Sequence, residues 1–290
     1  MPTLEREGQR LHYTLSNPGR KSGPPIVLLH GLGSCGDDWP LQLPALTPRH
    51  PVITLDLPGH GRSDLPRGRL TAARLALPVV ELLDALGEAR AHVVGLSLGG
   101  MVALQLALDW PDRLRSLVLV NSFARLRVPP GRLGNRLVRI ALLLAAPMSW
   151  TGRWVASGLF PHPDQQPLRE AAAQRIASNS RAAYLHTVAE ILRFDVRDRL
   201  PEIRAPTLVV AGADDQTAPL RAKAEMARAI AGARLEVIEG SGHATPLDAP
   251  EAFNSMLLRF TSEVENGGGE AAPSYSANSD SMMARNVSDD

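Results

Sequence analysis

The fold is decided by one stretch of sequence, Ala91-His-Val-Val-Gly-Leu-Ser-Leu-Gly-Gly100. Its first part is a continuous apolar run, which is typical of a strand that is covered on both faces. Residues 99–110 then show a helical pattern that Pro111 stops. Between the two, the pattern Gly-x-Ser-x-Gly predicts a tight turn from strand to helix, with Ser97 at its tip.

Runs of strand length recur on both sides of this turn. We predict two short strands within residues 3–16 and further strands at 26–30, 51–56, 91–96, 117–120, 207–211 and 235–239. Helical spacing of apolar residues predicts helices at 71–86 and 222–230, and Pro78 should disturb the N-terminal part of the first. Strands that alternate with helices predict an α/β fold: a mostly parallel sheet of eight strands with flanking helices.

The alternation stops between residues 122 and 200. Helical patterns occur there at 132–145, 166–178 and 181–194, and no strand is evident. We therefore predict a helical cap over 122–200, inserted into an α/β core that consists of residues 1–121 and 201–264. From residue 265 the composition turns to Gly, Ser, Asn, Asp and Ala, which predicts a disordered tail over 265–290.

The charge balance and the cysteine count limit the class of partner. The 290 residues contain 31 Lys+Arg and 30 Asp+Glu, and a net charge of +1 argues against a nucleic-acid partner. The basic residues are nearly all arginine, with Lys21 and Lys223 as the only lysines, which we attribute to coding bias. The single cysteine, Cys35, excludes an intrachain disulfide and a cysteine zinc cluster. We expect a small-molecule substrate.

No segment is predicted to span a membrane. The longest strongly apolar run, residues 140–146, is far shorter than the ~20 residues that a spanning helix needs. Residues 1–8 lack the apolar core of a signal peptide. We therefore expect a cytoplasmic protein. No pattern predicts its oligomeric state.

A serine hydroxyl needs a neighbouring base to act as a nucleophile, and a histidine can supply it. Among the eight histidines, His243 lies in a Gly-rich loop directly after the last predicted strand, whereas His30 and His60 lie in earlier loops. An acid must then orient the imidazole. Asp215 follows another predicted strand, so that its carboxylate could reach the same edge of the sheet as Ser97.

The motifs of this chain resemble those of α/β-hydrolases of the esterase, lactonase and C–C hydrolase type, over roughly residues 3–262. The matching segments are His30-Gly-Leu-Gly33, Asp56-Leu-Pro-Gly-His-Gly-Arg-Ser63, Gly95-Leu-Ser-Leu-Gly-Gly100, Asp215-Gln-Thr-Ala-Pro219 and Gly242-His243. The resemblance implies that Ser97 is the nucleophile, His243 the base and Asp215 its partner. The Asp-x-x-x-Pro spacing favours Asp215 over Asp214, and Asp248 follows His243 in the wrong order.

The resemblance also implies where the oxyanion of a tetrahedral intermediate would bind. The family uses the backbone N–H after the nucleophile and one from the loop after an early strand, and here these belong to Leu98 and Leu32. His30 is expected to support that loop. Asp56 and Arg62 are expected to brace it rather than to act chemically.

The expected reaction is hydrolysis of a carboxylic ester, or of a related carbonyl substrate, through an acyl-enzyme on Ser97, without a cofactor or a metal. Serine at the turn argues against the epoxide hydrolase and dehalogenase relatives, which use a carboxylate nucleophile. Four alternatives stay open: an enol-lactonase, a C–C bond hydrolase, a cofactor-free perhydrolase and a binding protein of the same fold. The Leu and Ala content of the cap suggests an apolar portion in the substrate, although helix packing explains it equally well.

One competing pattern points to a different class of site. Gly31-Leu-Gly-Ser-Cys-Gly36 follows a strand and has Asp56 twenty residues further on, as in a dinucleotide-binding fingerprint. However, Asp37 and Asp38 would place negative charge beside a pyrophosphate, and Pro40 would interrupt the helix that should hold it. The same glycines fit the oxyanion loop, which is the interpretation we prefer.

Overall fold

A computed structural model describes residues 2–6, 8–17, 19, 23–126 and 145–267 of the chain. The strands of this part are β1 (Thr3–Arg6), β2 (Gln9–Ser16), β3 (Ile26–Leu29), β4 (Val52–Leu55), β5 (Ala91–Leu96), β6 (Leu114–Val120), β7 (Thr207–Gly212) and β8 (Arg234–Ile238). They form one sheet in the order β1-β2-β4-β3-β5-β6-β7-β8. β2 is antiparallel to both β1 and β4, and the other neighbouring strands are parallel. The predicted fold class is confirmed.

The helices follow the strands in the expected alternation. In the described residues they are α1 (Leu43–Leu46), α2 (Ala72–Ala85), α3 (Leu98–Asp109), α4 (Met148–Leu159), α5 (Gln166–Ala177), α6 (Arg181–Arg193), α7 (Leu220–Ala229), α8 (Thr245–Asp248) and α9 (Pro250–Glu265). Short 3-10 helices lie at Gly36–Asp38, Pro111–Arg113, Pro163–Gln165 and Arg197–Glu202. No helix in this part of the chain is both long enough and apolar enough to cross a membrane.

The central strands are apolar on both faces because a layer of helices covers each face. Side chains alternate between the two layers, since successive residues of a strand point to opposite faces. In β3, Val27 and Leu29 join the core beneath α2 and α3, whereas Ile26 and Leu28 join the core beneath α9. The parallel strands therefore lie in the middle of the molecule, and their carboxyl ends emerge at one edge of the sheet.

Pro78 lies within helix α2 and does not interrupt it, contrary to expectation. The helix begins at the Thr71 cap, whose Oγ1 accepts a hydrogen bond from Arg74 N at 3.3 Å, and continues without interruption through Pro78 to Ala85. A proline inside a helix removes one backbone hydrogen bond and costs about 3 kcal/mol. Burial of the apolar face of α2 offsets that cost. The buried residues of this helix are Ala72, Leu75, Ala76, Pro78, Val79, Val80, Leu82 and Leu83.

Between β6 and β7 the described residues contain α4, α5 and α6 and no strand. The predicted helices at 166–178 and 181–194 correspond to α5 and α6, while α4 was not predicted. The predicted helix at 132–145 lies outside the described residues except for its last residue, and so does the predicted tail from residue 268 onward. Glu265 is the last residue of α9 rather than the first of a tail. The helical cap over 122–200 stays a prediction.

Candidate active site

Four polar side chains lie in the turns and loops that follow four neighbouring parallel strands. Ser97 comes directly after β5, Asn121 directly after β6, Asp215 after β7 and His243 after β8. Because the carboxyl ends of parallel strands meet at one edge of the sheet, these residues are brought to the same region from sequence positions far apart. This edge is where ligands bind in open α/β sheets.

Ser97 lies at a strained turn. Its φ of 52° and ψ of −108° are outside the regions that a serine ordinarily adopts. The turn requires glycine nearby, because a Cβ on Gly99 would overlap the Leu29 carbonyl and one on Gly95 would overlap the backbone of Gly99. Such a conformation costs about 1–3 kcal/mol and persists only where the surroundings enforce it. Here Ser97 N donates to Val120 O at 2.9 Å.

His243 and Asp215 are in direct contact. His243 Nδ1 lies 3.0 Å from Asp215 Oδ1, and a carboxylate can only accept, so the proton of this bond belongs to the imidazole Nδ1. Asp215 Oδ1 also accepts from Thr217 N at 2.8 Å and from Ala218 N at 3.3 Å. The structure records no hydrogen bond between Ser97 Oγ and the His243 ring within the residues it describes. In unliganded enzymes such bonds are often long and shorten when substrate binds.

The pKa of Asp215 lies well below its ordinary value. Burial of the carboxyl would by itself raise the pKa. The charge and the hydrogen bond of His243, followed by those of Lys223, outweigh that effect and favour the carboxylate. Asp215 is therefore an ionised acceptor for the imidazole.

The two rival aspartates occupy other positions. Asp214 is half exposed, and its carboxylate lies 3.9 Å from His162 Nε2. Asp248 accepts from Ser241 Oγ at 2.7 Å and from Gly242 N at 2.8 Å. It thus holds the turn that precedes His243 and does not contact the imidazole.

Two residues of the site were not singled out from the sequence. Asn121 Nδ2 donates to His243 O at 2.9 Å, and Asn121 Oδ1 accepts from Gly212 N at 2.8 Å. Lys223, which is fully buried, donates to Asp215 Oδ2 at 2.7 Å. A polar pair directly after β6 and the one lysine on the inward face of an amphipathic helix are the signals that could have indicated them.

The loop after β3, residues 30–33, lies against Ser97. A Cβ on Gly31 would be 3.8 Å from Ser97 Cβ. His30 supports this loop as expected: its Nδ1 donates to Gly31 O at 2.8 Å and its Nε2 accepts from Leu57 N at 2.9 Å. Burial lowers the pKa of His30, which keeps the imidazole neutral and able to make both bonds.

Asp56 braces the neighbouring loop, as expected. Its Oδ1 accepts from Gly36 N at 2.7 Å, and its Oδ2 accepts from Arg62 N at 2.9 Å and Arg62 Nε at 3.3 Å. Burial would raise the pKa of Asp56, but these donors lower it overall. Because this carboxylate is occupied, and because only a 3-10 turn at Gly36–Asp38 follows the glycines, the dinucleotide-binding interpretation does not fit.

Comparison with known proteins agrees with this fold. The sequence profile of the alpha/beta hydrolase fold family matches residues 24–250. The chain belongs to this family, and hydrolysis is the general activity that membership supports.

Among its relatives are bacterial proteins whose provisional name is carbamate hydrolase RutD. The protein from Azorhizobium caulinodans is 34% identical over 275 residues, which cover 91% of this chain and 100% of the relative. The protein from Caulobacter vibrioides is 36% identical over 260 residues, 86% of this chain and 94% of the relative. Among solved structures, the enol-lactonase from Burkholderia xenovorans LB400 is similar with a TM-score of 0.82 and 29% identity, covering 90% of this chain and 100% of that one.

Proposed function

We propose that this chain is a serine hydrolase that cleaves a carboxylic ester, or a related carbonyl substrate, through an acyl-enzyme on Ser97. The observation that carries the proposal is the shared edge of the sheet: a serine on a strained turn and an imidazole bonded to a buried carboxylate follow neighbouring parallel strands. These are the parts that nucleophilic acyl transfer needs.

In the proposed reaction Ser97 Oγ attacks the substrate carbonyl and its proton passes to His243 Nε2. Asp215 keeps the Nδ1 proton in place and stabilises the imidazolium that forms. The imidazolium then gives its proton to the leaving alkoxide, so that an alcohol departs and an acyl-Ser97 ester remains. Water, deprotonated by His243, attacks this ester, and the imidazolium then gives its proton to Ser97 Oγ as the acid is released.

The negative charge of each tetrahedral intermediate would be held by the N–H groups of Leu32 and Leu98. Leu98 is the first residue of α3, so its amide has no acceptor within the helix. Neither this amide nor that of Leu32 donates to another backbone group in the described part of the chain. A helix N-terminus also favours negative charge. These features support both residues as oxyanion donors.

An apolar portion of the substrate is part of the proposal. Ile176 and Tyr184, from α5 and α6, form a small apolar cluster with which Leu32 and Leu159 pack. Both residues approach the loop beside Ser97, since a Cβ on Gly33 would lie 3.1 Å from each. This apolar surface next to the proposed oxyanion site supports a hydrocarbon group in the acyl or the alcohol part.

A carbamate is the second candidate substrate. It is favoured by the relatives that are named carbamate hydrolase, which are 34% and 36% identical to this chain. The same residues would act in the same order, and Ser97 would carry a carbamoyl group instead of an acyl group. A carbamoyl ester is less electrophilic than an acyl ester, so its hydrolysis would be the slow step.

The test is a panel of p-nitrophenyl acyl esters of rising chain length, simple lactones and aryl carbamates. We expect turnover of some members, and a loss of at least about a thousandfold in kcat/KM in Ser97→Ala. Ser157→Ala removes an exposed hydroxyl from α4 and serves as the matched control. The proposal fails if the folded wild-type protein hydrolyses no member, or if Ser97→Ala is as active as Ser157→Ala.

A further inference from the structure

Lys223 is a buried cation on the otherwise apolar inner face of α7. Its side chain has no exposed surface, and the helix buries Ala224, Met226 and Ala227 beside it. Its Nζ donates to Asp215 Oδ2 and to Asn121 Oδ1, each at 2.7 Å. A buried ammonium is tolerated only where it is paired and hydrogen-bonded, and here the partner is the carboxylate that contacts His243.

Asn121 extends the contact of Lys223 to the loop of His243. Its Oδ1 accepts from Lys223, while its Nδ2 donates to Gly242 O at 3.0 Å and to His243 O at 2.9 Å. Asn121 has a φ of 44°, and its side chain bonds both to Gly212 at the end of β7 and to the loop after β8. Lys223 is thus bonded to the acid directly and to the backbone of the base through one amide.

We propose that Lys223 is a positioning residue of the active site: its ammonium fixes the ionised carboxylate of Asp215, and this carboxylate in turn fixes the imidazole of His243. The inference rests on the proposed function, in which His243 accepts the proton of Ser97. Without the ammonium, Asp215 Oδ2 would lose its charged hydrogen-bond donor, and the buried carboxylate would be held less firmly. A carboxylate that is fixed by Lys223 and by two backbone amides keeps the imidazole of His243 in one orientation and one tautomer.

Three other charged groups near this helix, among the residues that the structure describes, have different partners. Asp248 on α8 is bonded to Ser241 and Gly242, and Asp214 lies near His162 at the surface. On α7 itself, Arg221 pairs with Glu225 in solvent. Burial lowers the pKa of Lys223, and the charge of Asp215 opposes that shift. The negative charge of Asp215 favours the protonated form of this buried lysine.

The first test is the split between kcat and KM in Lys223→Met and Lys223→Gln. We expect kcat to fall about tenfold in Lys223→Met, with KM nearly unchanged, because the acid that orients His243 is held less firmly. Gln retains a donor without charge and should keep more of kcat than Met. Arg221→Met removes the same charge from an 85% exposed side chain of the same helix and should leave both constants unchanged. A kcat in folded Lys223→Met equal to that of Arg221→Met overturns the proposal.

The second test needs neither activity nor a stable variant. The chain has two lysines, so that a wild-type sample with 13Cε-labelled lysine gives two side-chain signals, and Lys223 is the one with a buried environment. We expect this signal to report a protonated amine from pH 6 to 9. A neutral amine at pH 7 overturns the proposal. If the amine is protonated and the ester panel is not hydrolysed, the proposed function has failed and the pairing of Lys223 stands.

Discussion

Backbone conformation at Ser97 and Asn121 concentrates strain at the candidate site. Both have positive φ, and Asn17 is the only other non-glycine residue of the described chain with this property. Asparagine adopts this region more readily than serine. The turn at Ser97 is therefore held by its surroundings, above all by glycines that permit close approach of the backbone.

Gly99→Ala should disrupt this turn. A Cβ at this position would overlap the carbonyl of Leu29 in β3, which cannot move without breaking the sheet. We expect a loss of about 3 kcal/mol in the free energy of unfolding, or failure to fold. Gly158→Ala, where a Cβ meets nothing within 4 Å, should be neutral or stabilising by up to about 1 kcal/mol. Urea titration measures both, and equal effects would contradict the account.

Asp215→Asn should abolish most activity, and because it leaves the buried Lys223 ammonium without its carboxylate, the kinetics are measured on protein shown to be folded. The amide cannot stabilise an imidazolium and favours the wrong tautomer of His243, which in a serine protease costs about 10⁴-fold in kcat. Asp214→Asn removes the adjacent, half-exposed carboxylate and should change kcat little. Steady-state kinetics measures kcat in both variants, and similar losses of kcat in the two would argue against Asp215 as the partner of His243.

The sequence was sufficient to predict Ser97, Asp215 and His243 as candidates, because each stands in a short motif beside a strand. It was not sufficient for Asn121 and Lys223. Asn121 is separated from Lys223 by 102 positions in the sequence, so that no local pattern predicts their contact. Lys223 lies only eight positions after Asp215, and its place on the inner face of α7 is the signal that could have indicated it.

At the scale of elements, the helices between β6 and β7 are tied to the loops of the core. Asn179, between α5 and α6, donates from Nδ2 to Gly33 O at 2.8 Å. Glu190 on α6 accepts from Ala72 N at 2.9 Å, at the first residue of α2. Side-chain bonds to backbone groups thus connect the region that we predict as a cap to the loop beside Ser97.

Asn179→Ala should impair catalysis more than stability. Loss of the bond to Gly33 O frees the loop that carries Leu32, and we expect kcat/KM to fall about tenfold. Asn254→Ala removes a similar bond, from Nδ2 to Leu41 O at 2.8 Å, on α9. It should leave kcat/KM nearly unchanged at a comparable Tm. If the two variants behave alike in kinetics, Asn179 does not position the loop.

The central strands were predictable because they are apolar runs buried on both faces, whereas α4 was not predicted. Its buried residues are small or polar, namely Thr151, Gly152 and Ala156, while Trp150 is 56% exposed. Gly152 lies so close to the Ala173 carbonyl of α5 that a side chain would collide with it. This contact joins two helices, and the sequence of α4 alone does not show its partner.

At the scale of the whole molecule, acid should destabilise the fold through buried histidines. Burial lowers the pKa of His60 and of His92 to about 3, from an ordinary value of 6.5. The unfolded chain therefore binds more protons below pH 6.5, and stability that is complete above this pH is lost as the pH falls toward 3.

Each of these two histidines should lower the free energy of unfolding by about 2 kcal/mol when the pH falls from 7 to 5. Urea titrations at the two pH values measure the loss, in a window where few carboxylates titrate. In His92→Asn the difference in the free energy of unfolding between pH 7 and pH 5 should be smaller by the contribution of one histidine, about 2 kcal/mol. This holds whatever the substitution does to stability at pH 7. His162→Asn, at a half-exposed position, should leave this difference unchanged. An unchanged difference in His92→Asn would contradict the prediction.

The fold does not identify the substrate, because one fold serves many reactions and the chemistry depends on the residues of the site. The chain carries the sheet of its family with a serine, a histidine and an aspartate at one edge. The cytoplasmic location, the cap and the tail stay predictions.

The most direct test of the central claim is covalent labelling with a fluorophosphonate, followed by peptide mapping. If His243 and Asp215 activate Ser97, the wild-type protein should gain one adduct, on the peptide that contains Ser97. Ser97→Ala should gain none, and Asp215→Asn should react much more slowly. Folded wild-type protein that remains unlabelled, or that is labelled at another serine, would contradict the account.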